Sequence, residues 1–143
     1  AISRPGGPEV LELVERPDPA PGPGEVVIAV RAAGVNRPDL MQREGRYPAP
    51  AGASDLPGLE VAGLVHAIGE GVTSWRIGDA VCALAPGGGY AEFCAVPGSH
   101  CLPLPSDNFR RSIHKAIPSR HKNAPASCHA RDHYESSALH LLQ

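Results

Sequence analysis

The stretch AVCALAPGGGYAEFCAV, Ala80 to Val96, decides the fold. Two short apolar runs flank three consecutive glycines, so the segment reads as two strands hinged at the glycine triplet. Upstream, GLEVAGLVHAIGEGV (residues 58–72) has the Val/Ile content and flanking glycines of a strand running through a bend. A turn around Trp75, Gly78 and Asp79 follows it. Earlier still, the β-branched run from Glu25 to Val35 reads as a strand. A proline-rich loop separates it from the alternation of Val10, Glu12 and Val14, which reads as another. Six or so strands, with turn residues every 8 to 12 positions and no parallel βαβ pattern, describe a compact, mainly β barrel or sandwich.

One helix interrupts this pattern. In GVNRPDLMQREGRYP, Gly34 to Pro48, Asn36 can cap a helix, Pro38 is tolerated in its first turn, Asp39 complements the positive end of the dipole and Gly45 supplies a stop.

Composition agrees with many turns. The 143 residues include 16 Gly and 16 Pro, with aromatic residues at only 4%. The formal net charge of −2 offers no attraction to nucleic acid or anionic lipid, so neither a nucleic-acid nor a membrane partner is expected. Charge divides the chain in two. Residues 1–105 hold 7 Arg, no Lys and 12 acids, a balance of −5; residues 106–143 hold 6 basic residues and 3 acids, a balance of +3. After Pro105 the strand pattern stops, five of the seven His and both Lys occur, and an irregular tail is expected. The switch looks like a change of reading frame or an alternative exon. Cys128, His129 and His133 match no standard metal-binding spacing and read as accidental composition. Cys82, Cys94, Cys101 and Cys128 form no CxxC pair and read as buried thiols in a reducing cytoplasm.

From Pro5 to Pro105 the chain closely resembles the amino-terminal catalytic domain of the zinc-independent NADPH:quinone oxidoreductases, members of the medium-chain dehydrogenase/reductase superfamily. The motifs PGGPEVLEL, PGPGEVVIAV, AAGVNRPDLMQREGRYP, PGLEVAG, WRIGDAVCALAPGGGYAEF and PLP carry the likeness. It implies a GroES-like, partly open barrel with one short helix over 1–105. The zinc-dependent relatives have a Cys where this chain has Asn36 and a His where it has Leu59. An amide and an isobutyl group cannot replace those ligands, so no zinc is expected. By resemblance, Asn36 and Tyr47 line the cleft where nicotinamide meets substrate, as both catalytic and cofactor-contacting residues. A phenol can donate a hydrogen bond to a carbonyl oxygen under reduction. Read from the residues alone, Asn36 caps and Tyr47 packs. Asp39 is expected to serve the helix terminus and Glu60 to make a buried polar contact.

The resemblance also implies a hydride transfer from NADPH to a quinone or related conjugated carbonyl. A dinucleotide-binding (Rossmann) domain follows in full-length relatives, and no GxGxxG-like turn answers to it here: GPGEVV, GEGVTS and GGGYAEF read as turns. The chain is therefore read as a truncated form, inactive alone, with doubtful cofactor binding and an apolar interdomain face left uncovered. Two alternatives stand beside it. One is a non-catalytic module forming a homodimer, or a heterodimer with an intact paralogue, through that face. The other is an aberrant splice or frameshift product without function. A resemblance to the co-chaperonin barrel lacks the mobile docking loop.

Overall fold

Strands β1 (Glu25–Ala33), β2 (Glu60–Ile68), β3 (Ala80–Leu84), β4 (Phe93–Pro97) and β5 (Cys101–Pro103) form one antiparallel sheet, with helix α1 (Arg37–Arg43) between β1 and β2. This computed structural model describes residues 1–104; the tail expected over 106–143, with Cys128, His129 and His133, lies outside the described residues. Among the described residues no helix is long and apolar enough to cross a membrane.

The strand order is β4-β1-β2-β3-β5. The two halves of the glycine-hinged stretch therefore lie far apart in the sheet, not as a hairpin. Connectivity then bends the sheet. Edge strands β4 and β5 are joined only by the single 3-10 turn Gly98–His100. In a flat sheet five strands spaced about 4.8 Å apart would hold those edges about 19 Å from each other. Four residue steps span at most about 14 Å. The sheet must curl, and it does so around one core. Val26 and Ile28 of β1, Val61 and Val65 of β2, Val81 and Ala83 of β3, Cys94 and Val96 of β4 and Cys101 of β5 are buried together. Trp75 packs on this cluster, and its indole N–H donates to Gly98 O at 2.8 Å, fastening the turn between the edges.

Two register shifts sharpen the bend. Val27 pairs with Ala67 but Ile28 with Val65, leaving His66 as the extra residue on β2. Val30 pairs with Gly63 but Ala32 with Ala62, leaving Arg31 as the extra residue on β1. Such bulges increase twist and let a sheet curve. The mainly β, open architecture with one short helix expected from the sequence is thus found.

The expected strand at residues 10–14 is not. Val10 ends the 3-10 turn Pro8–Val10, and only an isolated bridge, Ile2 to Leu11, touches this stretch. Leu13 is 80% exposed. Both hydrogen-bonding edges of β1 are taken by β2 and β4. Pro17, Pro19, Pro21 and Pro23 then prevent the loop from offering a ladder of its own.

Candidate functional site

The site is organised by one buried carboxylate. Asn36 occupies the N-cap position of α1 in extended backbone, and Pro38 follows within the first turn. Asp39, the third helical residue, is only 5% exposed. Its Oδ2 accepts from the Asn36 backbone N–H at 2.7 Å and from the Tyr90 hydroxyl at 3.2 Å, and its Oδ1 accepts from the Gly58 N–H at 3.1 Å. Three segments distant in sequence are thereby tied to one side chain, and a buried polar side chain needs such partners. The Tyr90 hydroxyl also reaches Gly34 O at 3.4 Å.

The second tie is made of backbone. Gly58 has φ +101°, a left-handed conformation, and the Cβ of any other residue there would lie 2.5 Å from Tyr90 N. Such close approach lets Gly88 N–H donate to Leu56 O, Gly89 N–H to Gly58 O and Tyr90 N–H to Pro57 O, at 2.8, 2.9 and 3.0 Å. The glycine triplet is therefore a turn packed on the Pro57–Gly58 segment, with those donors spent internally.

Asn36 turns its side-chain amide outward, where Nδ2 donates to Glu60 Oε2 at 3.1 Å. Tyr47 is half-buried and lines an open depression of about 390 Å³ with Ile2, Pro5, Gln42, Pro48 and Asp55. Asn36 is not among that depression's walls. Asp39 serves the helix terminus as its sequence position implies. Glu60, expected to be buried, is exposed, because it opens β2 on the sheet's outward side opposite Leu84. Tyr90 was not singled out by sequence reasoning. The signal available was its place directly after the glycine triplet, where a turn delivers the phenol to Asp39.

Among the described residues no three His, Cys, Asp or Glu side chains converge as metal ligands. At the positions that matter, Asn36 is engaged with Glu60, and Leu59 contributes its carbonyl oxygen to the Ala85 N–H at 2.9 Å. Cys82, Cys94 and Cys101 are unpaired thiols. Burial, reinforced by the nearby Cys101 for Cys94 and by Cys82 for Cys101, pushes both core thiols up to about 11. They are packing groups, protonated at neutral pH.

Residues 22–106 match the alcohol dehydrogenase GroES-like domain. The chain belongs to that family. Among curated proteins this GroES-like chain is 42% identical over 102 residues to the rat synaptic vesicle membrane protein VAT-1 homolog, covering 70% of the chain and 25% of that protein. It is 39% identical over 116 residues to rat quinone oxidoreductase, covering 79% of the chain and 35% of the relative. Among solved structures, Escherichia coli quinone oxidoreductase complexed with NADPH superimposes with a TM-score of 0.64 at 34% identity, over 71% of this chain and 31% of that one. The GroES-like chain thus spans about a quarter to a third of the length of these relatives.

Proposed function

We propose that this chain is the substrate-side portion of an NADPH-dependent, zinc-independent reductase of quinones or related conjugated carbonyls. The observation that carries the reading is the similarity to quinone oxidoreductases together with an amide at position 36 and an alkyl group at position 59. NADPH would supply the hydride. The N–H groups of Gly88, Gly89 and Tyr90 are already engaged within the chain, and no step here depends on this chain gripping the cofactor. Its own contribution is polar. The Asn36 amide is oriented by Glu60 and retains a second N–H, and the Tyr47 phenol faces an open depression. A hydrogen bond from one or other of these groups to a carbonyl oxygen would stabilise the negative charge that develops as hydride arrives, in place of a Lewis acid.

On this reading the polypeptide of 143 residues alone does not oxidise NADPH in the presence of 1,4-benzoquinone above the uncatalysed rate. A chimera in which residues 1–104 replace the corresponding segment of rat quinone oxidoreductase does. In that chimera Tyr47→Phe and Asn36→Ala each lower kcat by about 10- to 100-fold, the range expected for loss of one oxyanion-type donor in a partly open site. Turnover by the 143-residue chain alone, or unchanged kcat in both chimeric variants, would contradict the proposal.

A further inference from the structure

The sheet has a second apolar face. Val61, Ala83 and Cys101 are paired across β2, β3 and β5 and point into the core, so their neighbours in register point outward. Those neighbours are Ala62, Cys82 and Leu102, flanked by Leu84 on one side and by Leu64 and Leu104 on the other. Leu84 is 68% and Leu102 65% exposed. Glu60, opposite Leu84, is the charged residue of this face. Antiparallel sheets that meet water on one side alternate apolar and polar residues; apolar residues on both sides mark a sheet that is covered on both.

Two features select the cover. The face is small, roughly 10 by 16 Å from strand spacing and rise, well short of the roughly 800 Å² per partner of a standard stable interface. A cover within the same chain escapes that requirement, because tethering sets its local concentration at about the millimolar level. The described residues end at Leu104, whose N–H donates to Ala80 O beside this face. The 39 residues that follow balance to +3 against −5 for the residues before them, and they include Leu139, Leu141 and Leu142. At about 3.3 Å per residue they are long enough to return to the point of departure.

We propose that the outward face of β2, β3 and β5 is the docking surface for this chain's own residues 105–143, seated through Leu139, Leu141 and Leu142. The proposal is independent of the reductase reading. Cys82 lies in the middle of the face and serves as its reporter, while Cys94 and Cys101 report on the core. In the full chain treated with N-ethylmaleimide and mapped by mass spectrometry, Cys82 is labelled about tenfold more slowly than in the L139D/L142D variant, the ratio for a cover in place about nine-tenths of the time. Cys94 and Cys101 stay unlabelled in both. Equal rates at Cys82 overturn the proposal. So does protection that rises with protein concentration alongside a dimer in sedimentation, which would make a second copy the cover. If the variant exposes Cys94 and Cys101, Leu141→Cys decides: mild oxidation with diamide gives an intrachain disulfide between Cys82 and the introduced thiol if the segment docks, and its absence overturns the proposal.

Discussion

Asp39 is a buried acid that holds three parts of the described chain together. Its two oxygens receive hydrogen bonds from the helix start, the Gly58 loop and Tyr90. Asp39→Ala would leave buried donors without partners and should lower unfolding free energy by about 3 kcal/mol, whereas Tyr90→Phe, which removes one donor, should cost about 1 kcal/mol. Urea unfolding followed by circular dichroism checks both. The sequence position of Asp39 announced the cap, because an acid three residues after Asn is a local pattern. The link to Tyr90 joins residues 51 apart in sequence, and spacing rules carry no such information. Glu60 was misjudged for a related reason: strand parity is legible, but which parity faces inward depends on where the sheet curls. The core thiols provide a pH test at the same scale. Folded Cys94 and Cys101 titrate at about 11, against an ordinary thiol value of 9.0. The folded form therefore holds protons that the unfolded form releases, so their contribution is complete below pH 9 and disappears as pH rises through 11. The melting temperature should fall over that window, and less so in Cys94→Ala compared with its own value at neutral pH.

At the level of elements, the loop contacts depend on what glycine permits. Gly58→Ala forces a Cβ to within 2.5 Å of backbone in a left-handed conformation and should cost more than about 3 kcal/mol. Gly24 has φ +77° with nothing within 4 Å of the added Cβ, so Gly24→Ala should cost only about 1 kcal/mol. Comparing the two denaturation midpoints separates steric collision from conformational preference. The strands from Glu25 and Glu60 were readable from β-branched content, and the short helix from its cap and stop. The N-terminal alternation misled because period two describes a strand only where a neighbour offers a ladder, and β1 had none to spare. The bulges at Arg31 and His66 stayed hidden: both strands are apolar on two faces, so a one-residue slip leaves the hydrophobic pattern nearly unchanged.

For the molecule as a whole, cofactor affinity is the informative quantity. A ligand at a hundred times its dissociation constant raises stability by about 2.7 kcal/mol. With the glycine-turn donors engaged by residues 56–58, the melting temperature of the 143-residue chain should not move with millimolar NADPH, and a shift of several degrees measured by differential scanning fluorimetry would contradict this. The architecture was open to sequence reading because motifs such as PGLEVAG and GGGYAEF occur in the family's order. The curl itself came from a quantity no residue pattern displays, the shortness of the link between the two outermost strands.

That link also provides an optical handle. Trp75 is the sole tryptophan of the chain, and its indole is bonded to the turn where the sheet's margins meet. Its emission wavelength should therefore track the parting of that seam. Stopped-flow fluorescence set beside backbone ellipticity would time when the sheet opens out relative to the loss of its strands.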